Sequence, residues 1–575
     1  MQPLVKRVER PRELKWFQAG AMLYGDWGTS KAYVLGIAFA LAGHGSWFFL
    51  GLMSCLTVLV GICYTVICRV YPDGGGVYSS LRNRSRPLAV IGALLLIADY
   101  VVTASLSSLS AFHYFNVPHP ELWAMGTIFL IGAINWIGPS KSGTIATFVA
   151  LFASAAAGVL FLSTLPHLPH VQLHWPPGGF VNNWSVFVGI VLALSGVEAV
   201  ANMTGIMVEP VERTAKIAIW PVLLEVSVLT FLLGIAMNAV PNLERHTDDM
   251  LRALGAYYIG PWYGELVSVV FAFLLLSAVN TALNDLVSIQ FAMGKDHELP
   301  HFFTRLNRFG MPSIALTVAV AVPVAVLSLV HGLVQLAALY AIGVVGAITI
   351  NLSACALNRN VDLSRAERLL LYLASFILLF VEITIAFQKR QALLFALSVV
   401  GTGLLLRQLA KAIAPVYAPE AVPSIHVLTL SEAKDLDALY KSSFLVALRH
   451  LNLNVLDEMA ELVKARGERS VYMYVVEEAP PSRELPIEME PSQESLALLS
   501  QVEHEMEKRN VTAIPVWQMG HGAGKLIAHA VQMLGVRTVM IGATRRAALI
   551  NILRGDVVRI LARSLPKDVR LLIMG

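Results

Sequence analysis

A chain of 575 residues with 56% apolar and only 14% charged residues, at a mean hydropathy of +0.64, has the composition of a polytopic membrane protein, not of a soluble globule. A net charge of +4 says little about partners, and no nucleic-acid partner is expected. No nucleophile, base and orienter stand together in the sequence, so the chain is not read as an enzyme.

The N-terminus carries Lys6, Arg7, Arg10, Arg12 and Lys15 ahead of the first apolar run, without the short apolar core and small-residue site of a cleaved leader. It reads as a retained cytoplasmic tail. The first apolar run, ending near Ala42, is interrupted by Tyr24-Gly25-Asp26-Trp27-Gly28-Thr29-Ser30-Lys31. Glycines let a helix break, and broken backbone at membrane depth is tolerated only where it lines a cavity or is buried in protein. The alternative, an interfacial helix start with Asp26 as its N-cap, fits less well because apolar residues continue on both sides.

Further spans follow at 46–68, 88–112, 121–138, 143–165, 183–207, 216–240, 262–293, 312–330, 333–356, 368–387 and 391–410, making twelve with the first. Lys and Arg gather in alternate loops, such as Arg82/Arg84/Arg86 and Arg359/Arg365/Arg368, so both termini are expected in the cytoplasm. Arg245/Arg252 and Lys389-Arg390 are exceptions. The four cysteines, Cys55, Cys63, Cys68 and Cys355, fall in or beside apolar segments at no metal-ligand spacing and read as reduced packing residues.

Within the third span Asp99, Thr103 and Ser107 recur every four residues and form one polar stripe. A stripe of hydroxyls can be helix-packing glue, but a buried carboxylate needs a partner or a proton. Asp26 and Tyr33, seven residues apart, share a helical face, and Lys31 points away from it. The sixth span carries a second interruption, Leu194-Ser195-Gly196-Val197-Glu198. Spans one and six correspond if the first ten form two halves of five. Paired interruptions at matching positions point to an inverted-repeat transporter with its site at the midplane. Hydroxyls, carboxylates and carbonyls freed at the breaks would make an oxygen cage for an alkali cation. Desolvation beside the break favours the protonated form of Glu198. Glu225, Asp285 and Glu382 also lie within spans and receive no role.

Several of these residues stand in recognisable motifs. Tyr24-Gly25-Asp26-x-Gly28-Thr29-Ser30-x-x-Tyr33-Val34 resembles the first-helix signature of the KUP/HAK potassium transporters. Tyr71-Pro72-x-Gly74-Gly75-Gly76-x-Tyr78, Asp99-Tyr100-x-x-Thr103, Gly196-Val197-Glu198-Ala199, Asn280-Thr281 and Leu339-Tyr340-Ala341-x-Gly343 resemble KimA-type potassium importers and the wider amino acid-polyamine-organocation superfamily. The resemblance implies a K⁺/H⁺ symporter in the cell membrane, with the LeuT-type 5+5 inverted repeat plus two helices. Its potassium ligands would be Asp26, Tyr33, Asp99, Thr103, Ser107, Ser195, Glu198 and Tyr340, with Glu198 and Asp26 coupling protons. Ser195 stands where a threonine is expected, and Lys31 where those families carry an uncharged residue. An amino acid or polyamine permease on the same fold is the alternative; a membrane-tethered nucleotide sensor is a third reading.

The transmembrane domain is read as 1–414 and a cytoplasmic domain as 415–575. In the latter, apolar runs at 444–448, 470–476, 512–517, 538–541 and 570–574 alternate with amphipathic stretches near 454–466, 493–509, 523–534 and 555–565. That alternation predicts a doubly wound α/β domain. It resembles a universal-stress-protein domain, with Gly542, Arg545 and Gly555 on its phosphate motif, although Arg545 and Asp556 replace a glycine and a hydroxyl residue. A regulatory nucleotide and a homodimer are the partners this implies; transported K⁺ and H⁺ aside, no cofactor is expected. Gly520-x-Gly522-x-Gly524-Lys525 lacks full phosphate-loop spacing.

Overall fold

The computed structural model describes residues 8–9, 12–137, 142–307, 309–330, 332–413, 426–436, 441–478, 488–489, 491–520, 522–542 and 557–574. The chain divides into two compact units, one of residues 12–415 with 481–485, the other of residues 1–11, 416–480 and 486–575.

The larger unit is helical. Its first apolar run is split into α1 (Trp16–Trp27) and α2 (Ser30–Ala42), followed by α3 (Ser46–Val70), the short α4 (Val77–Leu81), α5 (Arg86–Tyr114), α6 (Pro120–Trp136) and α7 (Ser142–Thr164). Next, α8 (Phe180–Ile190) tightens into a 3₁₀ turn at Val191–Leu194, loses helical form and resumes as α9 (Ala199–Asn202). The remaining helices are α10 (Val211–Ala236), α11 (Met250–Tyr258), α12 (Pro261–Lys295), α13 (Ser313–Leu329), α14 (Leu333–Leu357), α15 (Arg365–Gln388) and α16 (Arg390–Ile413).

Among the described residues, nine helical runs are long and apolar enough to cross a membrane. Hydropathy alone gives a larger number for two physical reasons. Trp16–Val70 forms one run of 55 residues, which the sequence reading divides in two. Helices α6 and α13 have 17 residues each, and at 1.5 Å per residue they reach about 26 Å, slightly short of the hydrocarbon core. Outward-facing apolar side chains such as Phe152, Phe376 and Leu405 are largely exposed. Lipid is the solvent that accommodates such faces.

Helix α5 is largely enclosed, packing mainly on α12 and α14. Small residues allow the approach, as in other membrane bundles. A Cβ on Gly343 would lie 2.7 Å from the Asp99 nitrogen, so α14 meets α5 at the polar stripe itself. Gly196 has φ +94°, a left-handed geometry that disfavours other residues, and a Cβ there would lie 2.7 Å from the Trp27 nitrogen. The two interruptions therefore touch.

In the smaller unit, β1 (Val8–Glu9) forms a two-residue antiparallel ladder with a later strand. The chain then runs α17 (Leu430–Lys434), β2 (Phe444–Leu448), α18 (Leu453–Ala465), β3 (Ser470–Glu478), β4 (Glu488–Met489, the partner of β1), α19 (Gln493–Lys508) and β5 (Thr512–Gly520). It closes with α20 (Ala523–Leu534), β6 (Thr538–Gly542), α21 (Val557–Ser564) and β7 (Arg570–Met574). The five-stranded sheet has the order β5-β3-β2-β6-β7, every neighbouring pair being parallel. Strand order reverses between β2 and β6, the topology of a doubly wound sheet. Its strands are nearly continuous apolar runs because both faces are covered: Leu445, Tyr472 and Val539 on one face and Val446, Met473 and Met540 on the other are fully buried. Side-chain oxygens of Asn452 and Ser492 accept from Val455 N–H and Ser495 N–H, starting α18 and α19.

Candidate ion-binding site

The first interruption is short. Only Gly28 and Thr29 fall outside the two helices, and both keep right-handed helical dihedrals. The carbonyls exposed there are satisfied locally: Thr29 Oγ1 donates to Asp26 O at 2.5 Å and Ser30 Oγ to Trp27 O at 2.8 Å. The expected set of freed carbonyls is thus already engaged by back-bonding hydroxyls. The second interruption is more open. Ser195 to Glu198 lies between the 3₁₀ turn and α9, with Ser195 N–H donating to Leu192 O and Val197 N–H to Leu194 O, at 3.1 and 3.4 Å.

Seven of the eight residues singled out in the sequence meet between these elements. Asp26 and Tyr33 come from α1 and α2, Asp99 and Thr103 from α5, Ser195 and Glu198 from the second break, and Tyr340 from α14. All are buried, none more than 6% exposed. Tyr340 OH contacts Ser195 Oγ and lies 2.8 Å from Thr103 Oγ1, which also reaches Asp99 O at 3.0 Å and Asp99 Oδ1 at 3.4 Å. Tyr33 faces Asp26, Thr29, Asp99 and Tyr340. The carboxyls of Asp99 and Glu198 are within hydrogen-bonding reach of each other. Apart from that mutual contact, Asp99 Oδ2 and Glu198 Oε1 have no hydrogen-bond partner. Ser107, one turn beyond Thr103, is buried but does not join this network.

Lys31 is fully buried, and its ammonium lies 2.6 Å from both oxygens of Glu225 on α10 and 3.0 Å from Tyr24 OH. Its charge is balanced on the side of the helix away from Asp26 and Tyr33. Sequence reasoning missed three neighbours. Glu225 stands 194 positions from Lys31, beyond the reach of local periodicity. Asp285 of α12 is near enough to act electrostatically on Glu198. Tyr64 of α3 is close to both Glu198 and Asn351, but an aromatic on an apolar helix carries no signal that separates it from packing. Asn284, next to Asp285 on α12, donates to Asn280 O at 2.8 Å.

In the smaller unit Gly542 ends β6, while Arg545 and Gly555 lie outside the described residues. All four cysteines are free.

The apolar helices gathered around an interrupted pair and a buried polar cluster are those of a multi-pass membrane transporter. The chain belongs to the amino acid permease family, whose profile matches residues 14–405. It is 30% identical over 241 residues to a "Probable potassium transport system protein Kup" of Xanthomonas oryzae pv. oryzae, covering 35% of this chain and 38% of the relative. A protein of the same name from Burkholderia thailandensis is 27% identical over 238 residues, with the same coverage. An uncharacterized protein of Methanocaldococcus jannaschii is 22% identical over 315 residues, 51% of this chain and 71% of the relative. The matches span about 38% of the length of the Kup relatives.

Proposed function

We propose that this permease imports potassium together with protons, binding the cation among Asp26, Tyr33, Asp99, Thr103, Ser195, Glu198 and Tyr340, with Ser107 extending the path along α5. The carrying observation is how the polar groups at the second break are used. An amino acid's carboxylate needs free backbone N–H groups at a half-helix start. Here Gly196 N–H is turned onto Glu198 Oε2 at 3.2 Å, and Ser195, Val197 and Ala199 N–H donate to main-chain oxygens. What remains for a ligand at this break is oxygen: the facing carboxyl oxygens of Asp99 and Glu198 and a chain of hydroxyls.

Two facing carboxyls hold a proton between them and together keep one negative charge. That is a simple basis for coupling: K⁺ binds to the protonated cluster, and the proton, carried by Glu198 and Asp26, moves inward with it. Inward charge movement draws on the membrane potential at about 2.3 kcal/mol per charge per 100 mV. The same reading takes twelve crossings in two five-helix halves plus two, both termini cytoplasmic, in the cell membrane. It takes the α/β unit as a universal-stress-protein-like regulator that binds a nucleotide or dimerises the transporter. The names of the Kup relatives agree with a potassium substrate, and the family match keeps amino acid transport as the competing reading.

The test is growth of a potassium-uptake-deficient bacterium at limiting K⁺. Rescue by the full chain, lost in Asp99→Asn, supports the proposal. Absence of rescue by a well-inserted protein that takes up a labelled amino acid overturns it.

A further inference from the structure

The polar cluster on the far side of the first helix is not part of this site, yet it spans the same break. Tyr24 lies on α1 and Lys31 on α2, with only Gly28 and Thr29 between the helices. Tyr24 and Lys31 are seven residues apart, as are Asp26 and Tyr33. At 100° per residue the two pairs are offset by about 200°, so they occupy opposite faces. Glu225 of α10 closes the far face: Lys31 Nζ is 2.6 Å from each of its oxygens, Tyr24 OH donates to Oε1 at 3.0 Å, and the ammonium sits 4.7 Å above the Tyr24 ring. Ser154 of α7 also reaches Tyr24 OH. Lys31 is fully buried while the Glu225 side chain is 17% exposed.

The bonds across the two-residue interruption are the local ones of Thr29 Oγ1 to Asp26 O and Ser30 Oγ to Trp27 O, so the angle between its halves is open to control by tertiary contacts. Removing one member of a buried ion pair is strongly unfavourable, whereas replacing both with apolar side chains is often neutral. We propose that the Lys31–Glu225 pair, with Tyr24, is a charge lock that sets the two half-helices against α10 and so aims Asp26 and Tyr33 at Asp99 and Tyr340. Lys31 and Glu225 are positioning residues for the cation site. The placement of that site rests on the proposed function above; the lock itself does not.

The experiment uses the full chain in proteoliposomes with a rubidium tracer. Lys31→Met and Glu225→Gln each raise the half-saturating concentration by about tenfold or more, with a smaller change in maximal rate, because an unpaired buried charge displaces the half-helices. The swap Lys31→Glu with Glu225→Lys, and the apolar double Lys31→Met with Glu225→Leu, both return half-saturation to within about threefold of wild type. If a single variant fails to fold, the doubles still decide. Unchanged half-saturation in the singles, or an apolar double as impaired as they are, overturns the lock; the latter would mean that Lys31 or Glu225 carries charge in transport itself. A second readout needs no substrate. Amide hydrogen exchange across residues 24–33 rises in the singles and returns to wild type in the doubles. If wild type takes up no rubidium, the potassium reading fails and exchange alone judges the lock; unchanged exchange in the singles overturns it.

Discussion

Lys31 and Asp99 are ionisable side chains buried in one helical bundle, on two sides of the same broken helix, and their surroundings are opposite in character. Lys31 meets a carboxylate at 2.6 Å, a phenol at 3.0 Å and an aromatic face, so its charge and donors are satisfied inside the protein. Asp99 meets another carboxyl, that of Glu198, with Asp26 nearby, and apart from that mutual contact each of the facing pair keeps an oxygen with no hydrogen-bond partner. A buried ionic group left uncompensated costs several kcal/mol in a membrane. On the proposed reading, the satisfied cluster holds still and the unsatisfied one receives a cation.

The largest effect that sharpens this contrast comes from neutralising the unbalanced side. Asp99→Asn and Glu198→Gln should each nearly abolish rubidium uptake while the protein still inserts, and residual Glu198→Gln transport should lose its pH dependence. The apolar double at Lys31 and Glu225, although it removes two charged groups where each of these singles removes one, should keep transport. Wild-type uptake by Asp99→Asn would break the contrast.

A smaller effect is expected where the backbone brings the elements together. Gly343→Ala puts a methyl 2.7 Å from the Asp99 nitrogen, against main chain that cannot yield without moving α5 or α14. Overpacking of this kind costs about 1–3 kcal/mol, so the variant should melt several degrees lower and bind rubidium less well. Wild-type melting would show that α5 and α14 are not so closely apposed.

Much of this was legible in the sequence, for identifiable reasons. Spans announce themselves by hydropathy, and the strands of the α/β unit by short apolar runs between amphipathic stretches; the run at 444–448 became Phe444–Leu448. Gly196 near Glu198 in an apolar run marked the open break, because glycine admits a strained turn and a carboxylate within a span is costly to bury without a partner. The first break looked equally open but is nearly helical, since Thr29 and Ser30 can cap the carbonyls that glycine frees. Glu225 and Asp285 were visible as intramembrane acids, yet what each faces depends on packing between distant helices, which no local pattern encodes.

The smallest effect belongs to an exposed ion pair, useful as a foil for both buried clusters. Lys508 and Arg509 donate to Glu505 at 2.7 Å each and hold its carboxyl down at about 2. A depressed carboxyl contributes stability above the usual range near 4.5 and loses it as pH falls towards 2. The Glu505 side chain is 22% exposed and its partner Lys508 56%, so solvent screening keeps the contribution small. Glu505→Gln should leave melting almost unchanged at pH 6 and slightly flatten its fall between about 4.5 and 2. A large loss at neutral pH would contradict the view that burial separates the pairs that matter from those that do not.

The central claim is that the unbalanced carboxyl cluster receives a bare cation, and equilibrium binding of a rubidium tracer to the purified full chain tests it most directly. The account predicts saturable binding that K⁺ displaces, that amino acids do not, and that Asp99→Asn loses. A folded protein that binds no rubidium but saturably binds an amino acid would contradict it.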